Sequence, residues 1–453
     1  MNTKNLIKTF TKFDFGLIFF FLYALLSILY YQERTLFLDN PFQVFHMIVE
    51  DKIEIMAGRW PASIIRWLPF LAVKAELPLQ VVLHIFSFSY LLFHFIVFAI
   101  LRWWMQEKKV ANFYALWLLL ISGHAFFWNN SELIQACSVL FIWMALVKQE
   151  DSGLLRRVGL LSCLIVLLFY HPLILIPIVA VLLLWILQNP KRAKEYLVYL
   201  FSTVILYGVK SSMFTNWYDA GKKETFNNNL KEHGLGILNS EGFLNNVQSF
   251  FTSWNATITI ICIAAMYFFC KERKWLLVLG LPLGILLYNV LIAFADPNIG
   301  YAFYNEVNFI PLTAIILLGC MQLSHRIIDS KAICIVLLLF FVFRISYNSR
   351  FYSDRIQYWS GLVSELDTKT LKNESELAMD TLIMSWASPY ESLLINKLIG
   401  GIRDKTLLVH PNAKQFKDTQ KSNIFLSHFK SYTIEEVNNR YFDLDLSEGY
   451  KTQ

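Results

Sequence analysis

Charge is scarce in this chain: 16% of its 453 residues are Asp, Glu, Lys or Arg, against 56% hydrophobic, and mean hydropathy is +0.45. A surface built from that composition would have no water-compatible face, which argues against an ordinary soluble protein and for a polytopic membrane protein. Cysteine is sparse and unpatterned. Cys137, Cys163, Cys262, Cys320 and Cys334 fall inside apolar runs and Cys270 at the end of one, with no C-x-x-C spacing. They read as small core residues and indicate neither a disulfide framework nor a zinc site. No glycine-rich phosphate loop precedes a helix, which argues against an ATP-driven pump, and no short repeat or low-complexity tract occurs. No small-residue cleavage pattern follows the apolar run Phe15 to Tyr31, so that run, preceded by Lys4, Lys8 and Lys12, reads as an uncleaved first span. The net charge of +6 is read as a topology signal rather than as a nucleic-acid footprint.

What is abundant is apolar sequence. Runs at 15–31, 81–101, 111–124, 133–147, 158–170, 172–187, 197–213, 255–270, 275–294, 309–323 and 332–347 predict about eleven transmembrane helices, several shorter than the roughly twenty residues of a perpendicular span. Basic residues alternate between connections, rich around Lys108/Lys109, Arg156/Arg157, Lys191/Arg192 and Arg273/Lys274 and poor around Glu132, His171 and Asp296. The positive-inside rule then places the N-terminus in the cytoplasm and the C-terminus outside. The expected fold is a polytopic α-helical membrane protein with interfacial helices in the first external loop. Residues 1–347 form the membrane domain, and the more polar residues 348–453 form a small external α/β domain.

The first loop, Gln32 to Gln80, is long and carries clustered acids, which makes it the expected seat of chemistry. Asn40-Pro41 is a helix start signal, with Asn40 as the cap and Asp39 just before it. Phe42, Phe45, Val49, Ile53 and Met56 then recur at helical spacing, while Gln43, His46, Glu50 and Glu54 fall on another face. Asp39 reads equally as a dipole partner of that helix or as a working carboxylate; Glu50 and Asp51 read first as a solvated face, and His46 as a hydrogen-bonded interfacial histidine or a phosphate or metal contact. The segment 60–74 predicts a second interfacial helix, from which Arg59 and Arg66 could clamp a phosphate or anchor to anionic headgroups. Elsewhere Glu132 follows Trp128-Asn129-Asn130-Ser131, His171 sits in a Tyr-His-Pro turn, and Glu306 lies among Tyr301, Tyr304, Asn305 and Asn308.

An acid soon after span one, interfacial helices behind it, an acid in the second external loop and about eleven spans resemble the GT-C membrane glycosyltransferases. The resemblance covers residues 1–347 in topology, and its motifs are short. It implies transfer of a hexosyl or pentosyl unit from a polyprenyl-phosphate-sugar donor to a lipid, glycan or protein acceptor on the outer face of the plasma membrane, among membrane lipids. Asp39 in LDNPF then matches the catalytic acid, although Asn40 and Pro41 stand where the family often has a second acid. Glu132 matches the second-loop acid, with Glu50, Asp51, His171 and Glu306 as further acceptor or metal candidates. Arg59, Arg66 and His46 are the phosphate candidates, and a divalent cation, Mg2+ or Mn2+, is left open. The alternatives are a lipid-linked polysaccharide polymerase or ligase, a transporter, and an envelope-assembly scaffold; the Phe214 to Trp254 stretch has no Arg, and few ionisable residues fall mid-span.

Overall fold

A computed structural model describes residues 14–149, 153–252, 256–297, 302–319, 329–377, 384–400, 403–410 and 422–452. Helices dominate, and the apolar runs supply most of them. The first is Phe15–Leu29, capped by the Asp14 side chain, and the longest, Lys331–Glu365, is capped by Ser330. Among the described residues four helical stretches have the length and composition to cross a membrane: Leu79–Trp104, Pro190–Met213, Trp275–Ala295 and Lys331–Glu365.

Four stretches, not eleven, correct the expected fold class. The other apolar segments form shorter helices, and two of them, Lys108–Ile121 with 14 residues and Glu132–Lys148 with 17, spend most of their apolar side chains on one another and on the surrounding core. Phe113, Tyr114 and Trp117 of the first pack with Phe141 of the second, all of them fully buried. A run of Leu, Phe and Trp at this length is therefore interior sequence, which hydropathy alone cannot distinguish from a span. Threaded through this apolar mass are buried polar groups with partners. Arg34, 0% exposed, donates to the Ser87 hydroxyl at 2.8 Å and to the Ser87 and Phe126 carbonyls, and lies 4.1 Å over the Phe126 ring. His94 meets Tyr114 and Ser138 at 2.8 and 3.0 Å, and Arg102 pairs with Asp14. With the eleven spans go the GT-C topology, the external placement of the C-terminal region, and the multi-pass plasma-membrane location. The architecture is a mainly helical protein with small β-sheets. Its four long helices keep exposed apolar side chains, Leu276, Leu279, Val336 and Leu339 among them.

The C-terminal region holds the sheets. β1 (Thr370–Asn373) pairs in parallel with both β2 (Leu407–His410) and β5 (Lys451–Thr452), while β3 (Ile424–Phe425) and β4 (Tyr432–Thr433) form an antiparallel pair. Helix Ser388–Leu398 connects β1 to β2 and is fixed to β2 by its own serines. The Val409 amide donates to the Ser388 hydroxyl at 2.9 Å and the Leu407 amide to that of Ser392 at 2.8 Å.

The first loop does not stand apart from this region. Helix Asp39–Val49 lays Phe42 and Phe45 against it, with Phe45 stacked on Phe425 at 5.1 Å and edge-on to Tyr390 and Tyr432. Its start lies two residues before the expected one: Asp39 is already helical and Leu38 holds the cap position. Asn40 does not cap, because its side chain is turned back to donate to the Arg34 carbonyl at 2.8 Å.

Candidate active site

Asp39 stands at the N-terminus of the loop helix, on a backbone bent to place it there. Leu38, just before it, has φ 49° and ψ −110°, a conformation a branched side chain rarely adopts. Its amide donates to Glu391 Oε1 at 2.7 Å, and the other oxygen of Glu391 accepts Arg355 at 2.8 Å. Glu391 and Arg355 are both buried, so a buried ion pair from the C-terminal half holds the turn that presents Asp39.

Three further stretches close on this point. Ser131 caps helix Glu132–Lys148 and puts Glu132 at its first position. Arg59 follows a turn in which Ala57 has φ 53°, and Arg66 ends the helical turn Trp60–Arg66. Arg59 pairs with Glu132 through one nitrogen and with Asp219 at 2.9 Å through another, and its plane lies 5.3 Å from the Tyr218 ring. Arg66 donates to Asn130 Oδ1 at 3.0 Å and to the Glu54 carbonyl at 2.6 Å, and the Asn130 amide reaches the Asp39 carbonyl at 3.5 Å.

Burial pushes the Asp39 carboxyl up to about 6, and the neighbouring Glu132 charge adds to that; Arg66, a hydrogen bond from Trp128 and Arg59 pull the other way. Two partly exposed acids and two buried arginines therefore share one site, and the acid at the helix start holds its proton more tightly than an ordinary aspartate. Glu132 is engaged by Arg59, so at least one of the two acids is paired with a guanidinium.

Asp219 was not anticipated. It lies on helix Trp217–His233, where Asn216 accepts its amide at 2.8 Å as the N-cap, donates to its carboxylate at 2.9 Å and donates to the Ala57 carbonyl at 3.0 Å. Lys210 approaches the same carboxylate at 3.8 Å. The local signal was the Asn216-x-x-Asp219 spacing, a helix start with an acid in its first turn.

Of the remaining candidates, His171 lies within electrostatic reach of Arg59, and Asp51, Glu50 and His46 lie apart from the cluster. His171 accepts the Leu173 amide at 3.2 Å as the cap of the short turn Pro172–Ile174; burial, with Arg59 and Lys210 beyond, drives its pKa well down. Asp51 pairs with Lys74 on an exposed edge. Glu50 and His46 form a separate group with Lys52, Lys430 and Tyr432. Burial lowers His46, and hydrogen bonds from Lys52 and Lys430 outweigh burial to hold Glu50 below the usual carboxylate range. Glu306 falls in helix Ala302–Gly319, and its side chain lies outside the described residues.

Comparison with protein-family models, curated proteins and solved structures finds no match to this chain. The GT-C resemblance therefore has no support beyond its short motifs, and its span count is contradicted by the fold. Transfer from a polyprenyl-phosphate sugar, the polymerase, transporter and scaffold alternatives drawn beside it, and membrane lipids as partners are withdrawn with it.

Proposed function

We propose that this protein is an enzyme whose active site is the Asp39, Glu132, Arg59 and Arg66 cluster, with Asp39 as a general base toward a hydroxyl or water. The observation that carries the reading is the Asp39 carboxyl, raised to about 6 by burial beside a second acid and flanked by two arginines. A base matched to neutral pH is the part that hydroxyl activation requires, and a buried guanidinium is the part that steadies an anionic substrate or leaving group. Arg59 carries the second role: its Nε lacks a hydrogen-bond partner although it is buried, so it can take one more acceptor. Glu132 and Asp219 orient Arg59, and Asn130 orients Arg66. The reaction class is transfer or hydrolysis with loss of an anion.

The test is a panel of phosphate esters, phosphoanhydrides and sugar phosphates, read by mass spectrometry for released product, with wild type and Asp39→Asn compared. Turnover of a panel member that falls by about two to four orders of magnitude in the variant supports the base. Turnover that Asp39→Asn leaves unchanged, or an Asp39 carboxyl that titrates near 4 by carbon NMR, removes it.

A further inference from the structure

Two turns beyond Asp39, the loop helix ends in a second group of chemistry-bearing side chains that the Asp39 cluster does not use. His46 and Glu50 are one turn apart on the helix, with His46 Nδ1 aimed at Glu50 Oε2 from 2.9 Å. Asp51, at φ 55°, then turns the chain back so that Glu54 returns to the same face. Among the described residues His46, Glu50 and Glu54 alone offer three ligand atoms of this type within 4.8 Å of one another. Three features separate the group from an ordinary acidic surface.

The first is burial without satisfaction. His46 is 6% exposed, its Nε2 has no hydrogen-bond partner, and its Nδ1 meets Glu50 Oε2 at 2.9 Å. A buried imidazole nitrogen without a partner has donor or acceptor capacity to spare, which a ligand could take up. The second is a division of labour within the Glu50 carboxylate. Its Oε1 is held by Lys430 at 2.9 Å and by the Tyr432 hydroxyl at 3.0 Å, while Oε2 faces both His46 and the Lys52 ammonium. Metal-binding carboxylates are oriented in this way by partners behind them. The third is that a cation already sits against the acids: the Lys52 ammonium lies 2.6 Å from Glu50 and 3.0 Å from Glu54. Lys52 is 53% exposed on its flexible stem, so it can leave without disturbing the fold.

We propose that His46, Glu50 and Glu54 form a binding site for a divalent first-row transition ion, zinc being the test case, which takes the place of the Lys52 ammonium. One imidazole and two carboxylates are a donor set suited to such an ion. Bonds of ~2.1 Å would bring the donors to about 3.4 Å apart, a closure that side-chain rotation supplies. Because Lys430 and Tyr432 grip the same Glu50, the ion ties the end of the loop helix to the C-terminal region. The site is independent of the chemistry assigned to Asp39.

Zinc chloride titrated calorimetrically into the chelator-stripped full-length protein tests this, with X-ray absorption to identify the ligands. One equivalent should bind, in a shell of nitrogen and oxygen only, which separates this site from the free cysteines. Glu54→Gln, at a partly exposed position, should weaken binding about tenfold or more, and Lys52→Met should tighten it. A sulfur-containing shell, binding indifferent to both substitutions, or no binding by wild type overturns the proposal. Binding by Lys52→Met alone also overturns it, by making the ammonium the resident cation.

Discussion

The ionisation of Asp39 works against folding. Its carboxyl is raised from 3.8 to about 6, so below pH 3.8 it is protonated in both folded and unfolded states and no penalty exists. As pH rises from about 4 to about 6 the unfolded state ionises first, and the folded state loses up to about 3 kcal/mol, the difference of roughly 2.2 pKa units at 1.36 kcal/mol each. Asp39→Asn should remove this slope, so its stability measured by urea unfolding should fall less between pH 4 and pH 7 than that of wild type. The same variant should lose turnover, a trade of function against stability seen where a site is built against its own fold. The flanking arginines give a second expected outcome. Arg66 lowers the Asp39 carboxyl more than Arg59 does, so Arg66→Met should move the acid limb of the pH–rate profile upward from about 6. A limb that stays in place would mean that Arg66 serves packing and the Asn130 contact alone.

At the scale of single elements, the site depends on turns more than on helices. The strained Leu38 is kept by the Glu391 carboxylate, which Arg355 neutralises. Glu391→Gln leaves Arg355 buried without its counter-charge and should cost about 3–5 kcal/mol in denaturant unfolding, while exchanging both residues for apolar ones of similar size should cost less. On the opposite wall, Asn216→Ala removes an N-cap and should cost about 1 kcal/mol, with faster amide exchange confined to Trp217–His233. These elements also mark how far the sequence is legible. The Asn40-Pro41 start signal locates the loop helix to within two residues, but the cap goes to Leu38 because Asn40 is drawn to the Arg34 carbonyl. Arg59, Arg66, Glu132 and Asp39 are recognisable as charges spared in an apolar chain. Asp219 is not, since its bond to Arg59 spans 160 residues and no local pattern announces such a partner. Glu391 is hidden for the same reason, 353 residues from the amide it holds.

Across the whole molecule, the lesson of the apolar runs is about what covers them. Phe113, Trp117 and Phe141 read as lipid-facing because a run of such residues must be shielded from water, and a neighbouring helix shields it as well as hydrocarbon does. The loop helix shows the same ambiguity: Phe42 and Phe45 suit a membrane surface in sequence, and in the fold they meet Tyr390, Phe425 and Tyr432 of the C-terminal region. That contact couples two parts of the chain more than three hundred residues apart, and the coupling is measurable. Phe45 is fully buried, so Phe45→Ala should cost about 3–5 kcal/mol. If the C-terminal region serves only as an attached unit, the loss should appear as faster amide exchange in β3, β4 and helix Ser388–Leu398, with Asp39 unaffected. If instead it seats the catalytic loop, as the Glu391 hold on Leu38 requires, exchange should also rise at Leu38 to Phe42, and the acid limb assigned to Asp39 should shift downward as the loosened carboxylate gains water. The second pattern is the expected one, because the residue before Asp39 and the aromatic residues after it are held by the same helix, Ser388–Leu398.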